Sequence, residues 1–285
     1  MMDLQAATVL LQWATGGLFF LWVTTRRREV GLGYGWLMRV VYLSIAAGSL
    51  AVGLRYGTVW GREGATIGLI IVTLYSLVQS VVRRRAGVSG HRAEHDRRSE
   101  RVAAMTGIER GERTAPATGT EFDPRLDLLG PAIGLVGLVA AGLAAGGPAW
   151  LAVARTVVGA AFLGAVSDAM LLGHWYLVQP GLKRAALVEL VRWLGWIWPV
   201  EVGLLLLPPG MVSVWNGTID DSYGGILGWF WGASALTTVV LVFVTRAALR
   251  ERYYSAVMAA TGLLYLAILT AFGTDLVARA VLSGA

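Results

Sequence analysis

Eight apolar runs, each 17 to 30 residues long, recur along this chain of 285 residues. They cover 6–24, 36–52, 65–82, 128–145, 150–178, 185–207, 225–245 and 253–282. About 20 apolar residues are what one helix needs to cross the hydrocarbon of a bilayer. A soluble domain would have to hide all of these runs, and a chain with 56% hydrophobic and 15% charged residues lacks the polar surface to do so. In lipid only helices and closed barrels satisfy their own backbone groups, and runs of this length select helices. The sequence predicts an all-α, polytopic membrane bundle of about eight transmembrane helices.

The charges fall between the runs. Arg26, Arg27 and Arg28 follow the first, Arg83, Arg84 and Arg85 the third, Lys183 and Arg184 the fifth, and Arg246, Arg250 and Arg252 the seventh. The other connections carry Arg55, Arg62 and Glu63, then no charge in "GGPA", then Asp220 and Asp221. By the positive-inside rule the basic connections face the cytoplasm and both termini lie outside. Asp3 before the first run and the arginine triplet after it reverse the charge order of a secretory signal, so a retained helix is expected. The net charge of +6 is thereby assigned to topology and not to nucleic acid. Membrane lipids and further protein subunits are the expected partners, and a plasma or bacterial inner membrane the expected location.

A charged stretch divides the chain into a three-helix section (1–84), a cytoplasmic linker (85–126) and a five-helix section (127–285). The linker is dense in arginine, which suits solvent or anionic headgroups. It contains "HRAEH", in which His91, Glu94 and His95 match the H-x-x-E-H pattern of zinc peptidases. No third ligand is marked, so solvated histidines are expected and no metal site. No internal repeat relates the sections, which disfavours an inverted-repeat transporter. Paired glycines (Gly130 and Gly134, Gly142 and Gly146, Gly228 and Gly232) predict close helix packing. Trp193, Trp196, Trp198, Trp229 and Trp231 suit an interfacial belt. In 208–225, Asn216-Gly217 predicts a hairpin or an ordered loop capping the sixth and seventh runs.

Ionisable groups at membrane depth are costly and are normally paired or functional. Arg39, Arg155, Asp168, Glu201, Asp275 and Arg279 qualify. Asp275 and Arg279, spaced i,i+4, are expected to pair, as are Arg155 and Glu201 across the fifth and sixth runs. Asp168 lies deeper and precedes His174 by six residues in "SDAMLLGHWYLVQP". His174, Trp175 and Tyr176 then reach the cytoplasmic boundary, where a quinone ring would find an imidazole, an indole and a phenol, with Asp168 or Glu189 relaying a proton.

Counting removes several alternatives. Without cysteine the chain holds no thiolate metal or iron–sulfur centre and no cysteine-attached cofactor. Two of the three histidines are in the linker, which excludes bis-histidine haem, and nothing places Met170 or Met258 opposite His174 for a single haem. The only lysine, Lys183, is in a loop, which excludes retinal chemistry. The leading expectation is a non-catalytic, quinone-binding anchor subunit of a respiratory-type redox complex. A proton- or ion-coupled transporter using Arg39, Asp168 and Glu201 is the alternative, ahead of a lipid enzyme. Single cysteines at Ala93 and Gly217 should label from opposite sides, Ala93 only after the membrane is opened. Equal labelling in intact cells would overturn this topology.

Overall fold

The structure, a computed structural model, describes residues 5–90, 92–93, 96–97, 119–179, 182–251 and 253–282. The His91, Glu94 and His95 pattern lies outside the described residues. The long helices are α1 (Ala6–Thr25), α2 (Leu32–Tyr56), α3 (Trp60–Val82), α4 (Leu129–Ala144), α5 (Ala149–Val178) and α6 (Ala185–Leu206). After a short α7 (Met211–Trp215) come α8 (Ile226–Ala248) and α9 (Tyr254–Leu282). Seven of them are long and apolar enough to cross a membrane, counting with α4 the 3-10 turn Pro124–Leu128 that leads into it. The chain is a multi-pass helical membrane protein. Helix α6 has the length, at 22 residues, but Glu189, Arg192 and Glu201 lower its apolarity and Pro199 interrupts it.

Helix α2 begins four residues before its apolar run and ends four after it. Helix α3 likewise starts early, at Trp60, and buries Arg62 and Glu63 in its first turn while Trp60 stays exposed. Mutual neutralisation makes that tolerable: Arg62 Nη2 lies 2.6 Å from Glu63 Oε1, and Arg62 Nη1 donates to Thr8 Oγ1 at 3.1 Å. Apolar side chains of α2, α3, α8 and α9, such as Val40, Ile71, Val240 and Leu269, face outward as a surface for lipid to cover.

Helix α1 is innermost and packs against α2, α4 and α5. Helix α3 packs on α4, so the sections 1–84 and 127–285 interleave in one bundle. The closest crossing is α1 on α5. A Cβ on Gly16 would overlap the Ala160 carbonyl, and one on Gly164 would overlap the Gly16 backbone. Only glycines let two backbones meet so closely. Of the glycines read from the sequence, Gly134 meets Thr15 and Leu69, and Gly142 meets the Val153 backbone. Gly228 and Gly232 instead receive the Trp215 ring, and Gly146 has open space.

One end of the bundle carries the arginine-rich connections. There Glu189 accepts from Arg26 and forms an ion pair with Arg27 at 3.0 Å, while Glu121 bridges Arg28 at 2.8 Å and Arg92 at 3.1 Å. The end of the linker therefore folds back on the bundle. At the opposite end Trp60, Trp150 and Trp229 are exposed as a belt would be. Two expected belt members are not: Trp231 is buried among Leu205, Met211 and Val214, and Trp198 donates to the Ala235 carbonyl at 2.9 Å.

The expected hairpin in 208–225 is not formed. Residues 211–215 make the single helical turn α7, and Gly217, at φ +74°, ends it. The loop does cap α6 and α8, through Met211 and Val214 below and through Asp221 above. Asp221 accepts from the amides of Gly225 at 2.8 Å, Leu227 at 2.9 Å and Tyr223 at 3.0 Å, at the start of α8. The Gly225 amide foremost, with those of Tyr223 and Leu227, holds its carboxyl below the usual carboxylate range against the opposing effect of burial.

Substituting Gly16 by alanine should separate α1 from α5. The expected cost is about 3 kcal/mol, at the upper end for overpacking, because backbone rather than a side chain blocks the new methyl. The measurement is the midpoint of unfolding in mixed detergent. A midpoint unchanged by Gly16→Ala would contradict the crossing.

Candidate functional site

Buried polar groups collect at two levels of α5. The first is near its start. Arg155, Thr156 and Gly159 face α1, α6 and α9, and Gly159 leaves the room: a Cβ there would meet Asp275 Oδ1 at 2.6 Å and Gln12 Nε2 at 2.8 Å. Gln12, a lone amide in the apolar α1, donates to the Thr156 carbonyl at 2.8 Å, and its Oε1 has no partner. Arg279 Nε binds Asp275 at 2.8 and 2.9 Å, one turn apart on α9, and Arg279 Nη2 donates to the Arg155 carbonyl at 2.9 Å.

Glu201 enters the same cluster from α6. It is fully buried, no donor among the described residues reaches either of its oxygens, and its carboxyl adjoins that of Asp275. The expected Arg155–Glu201 pair is absent among the described residues. Arg155 Nε instead donates to the Leu204 carbonyl at 3.0 Å, and its Nη2 to those of Leu207 and Pro209, each at 2.8 Å. The physical reason lies in the helix terminus: the last carbonyls of α6 lack helical donors, and a guanidinium fork supplies them.

Beside this cluster a cavity of about 120 Å³ opens at the end of the bundle away from the arginine-rich loops. Gln5, Thr8, Arg155, Thr156 and Arg279 give it polar walls, and Val9, Ala141 and Leu205 apolar ones.

The second level is nine residues on, about 14 Å along the axis. Asp168 is fully buried and accepts from Tyr42 Oη at 2.6 Å and, at the long distance of 3.4 Å, from Tyr34 Oη. Both tyrosines come from one face of α2, and Gly17 on α1 admits the Tyr42 ring, which a Cβ would displace. Next to Asp168, Ser167 Oγ accepts from Trp13 Nε1 at 2.9 Å.

The five residues expected to hold a quinone do not converge. His174 is exposed on the side of α5 facing α9, with Nδ1 3.1 Å from Tyr265 Oη. Trp175 follows Asp168 on its face and meets the Tyr34 ring edge-on at 5.9 Å between centroids. Tyr176 is buried and donates to the Lys183 carbonyl at 2.6 Å, and Glu189 is held by Arg26 and Arg27. Successive helical residues turn by about 100°, and His174, Trp175 and Tyr176 accordingly meet different neighbours. Arg39 has a partner that sequence reasoning missed: Asp127 receives its Nε at 2.8 Å and Nη2 at 2.7 Å, both groups buried. Phe122 stacks beneath this arginine at 4.7 Å. The signal was faint, since Asp127 is a single acid at the edge of the 128–145 run.

Removing the Tyr42 hydroxyl leaves the buried Asp168 with only the long bond from Tyr34. Tyr42→Phe should cost about 1–3 kcal/mol in detergent unfolding, and Tyr34→Phe distinctly less. Equal effects would show that Asp168 does not depend on Tyr42. No protein-family model, curated protein or solved structure matches the chain, so any functional reading rests on these side chains.

Proposed function

We propose that this protein is a proton-coupled membrane carrier whose proton site is the Glu201–Asp275 pair. The observation that supports it most is a fully buried Glu201 whose carboxyl meets another acid and receives no donor, beside a cavity open at one end of the bundle. A proton between the two carboxyls turns a repulsion into a hydrogen bond, and Arg279 steadies the charge on Asp275. Asp168 with Tyr42 and Tyr34 offers a second protonatable centre further along α5. We take all eight long helices to cross a plasma or inner membrane with both termini outside, so that the cavity faces outward and the arginine-rich loops the cytoplasm.

A quinone-binding role in a redox complex is the second reading, supported by His174 alone. Its exposed ring, bonded to Tyr265 through Nδ1, has its other nitrogen available to a quinone carbonyl dissolved in lipid. Copurified partner chains and bound quinone lost in His174→Leu would favour that role.

In proteoliposomes containing a pH-sensitive dye, an acid-outside step imposed together with a small anion, sodium pyruvate, should drive proton entry in the wild type, and Glu201→Gln should reduce the initial rate at least about tenfold. Infrared difference spectra should show a protonated-carboxyl band that Glu201→Gln removes. Equal rates and an unchanged band would sink the proposal.

A further inference from the structure

We infer that the cavity beside Glu201 binds a small monocarboxylate, which is carried together with the proton; this rests on the Glu201–Asp275 pair as the proton site. Two guanidinium groups reach the cavity from different helices, Arg155 on α5 and Arg279 on α9. Their Nε and Nη2 atoms are spent on carbonyls and on Asp275, while neither Nη1 makes a hydrogen bond among the described residues. Thr8 and Thr156 line the same space, with their hydroxyls already donating to Gln5 Oε1 and the Ala152 carbonyl. One free Nη1 from each guanidinium suits the two oxygens of a carboxylate. The apolar walls of Val9, Ala141 and Leu205 suit a short hydrocarbon body, and about 120 Å³ holds several non-hydrogen atoms.

Charge counting ties the ligand to the proton. The polar and charged groups nearest Arg155 of α5 and Arg279 of α9 are Gln12 of α1, Glu201 of α6 and Asp275 of α9, which adjoin the cavity through those two arginines without lining it. Arg62 and Glu63 of α3 reach its edge through Thr8 as a pair that cancels itself. The α4 wall brings only Ala141, Ala145 and the neighbouring Gly146. With both acids ionised, two guanidiniums balance two carboxylates. A proton alone leaves the site at +1 and a monoanion alone leaves it at −1, whereas the two together restore neutrality. In a medium that penalises net charge, the doubly loaded state is therefore favoured over either singly loaded one.

The full-length protein, purified without anionic lipid, is titrated calorimetrically with sodium propionate in two buffers of different protonation enthalpy, with choline chloride as the cation control. Propionate should bind with uptake of about one proton per anion, and choline should not. Arg155→Lys should weaken binding at least about tenfold, because one ammonium cannot both hold the carbonyls and offer the free Nη1, and Ala152→Leu, which fills the cavity without removing a charge, should abolish it. Glu201→Gln should bind propionate without proton uptake. No binding by the wild type, binding untouched by both Arg155→Lys and Ala152→Leu, or occupancy by added phosphatidylglycerol in place of propionate would overturn the inference. If the Glu201 infrared band is present in those cases, the proton site stands and only the ligand is wrong. If the wild type lacks the band, the proton site itself fails, and the coupling with it.

Discussion

The contact of α1 with α5 at Gly16 and Gly164 fixes almost everything else in the bundle. With no Cβ on either side, the two backbones come near enough for the short side chains around them to reach across. Gln12, one turn before Gly16, thereby reaches the Thr156 carbonyl, and Trp13 reaches Ser167. Gly17, the next residue, turns its bare face to α2 and makes room for the ring of Tyr42. Two adjacent glycines thus set one helix against two neighbours. Both polar levels of α5 depend on that spacing.

Among the described residues, the buried acids of this protein divide into those with a donor of their own and one, Glu201, without. Arg39 with Asp127, and Arg62 with Glu63, are buried one-to-one pairs with several hydrogen bonds each, so each acid has a cation of its own. Glu189 and Glu121, each shared by two arginines, tie the ends of helices and the linker to a single rim. Around Asp275 the count differs, because Glu201 adds an acid without a donor of its own. That imbalance, more than burial, separates this cluster from the structural pairs.

Apolar run length made the helices legible in the sequence, because the physics of spanning lipid acts on summed hydrophobicity and tolerates individual exceptions. It missed the true starts of α2 and α3, and at α3 Arg62 is neutralised by Glu63, which run length cannot weigh. The i,i+4 spacing of Asp275 and Arg279 was readable because both lie on one helix. Glu201 beside Asp275 was not, since the two are brought together only by how α6 and α9 sit around Gly159. The "GHWY" cluster misled for the opposite reason: neighbours in sequence on a helix are strangers in space.

Pro199 lies two residues before Glu201 and has no N–H to give to the Gly195 carbonyl. Helix α6 is therefore not one rod but two levers meeting at a joint that lacks a rung. The longer lever, anchored by Glu189 to the arginine rim, belongs to the rest of the bundle. The shorter one carries the acid at its base, and Arg155 grips the carbonyls at its tip. A single side chain from α5 thus has leverage over the piece of backbone on which the buried glutamate rides.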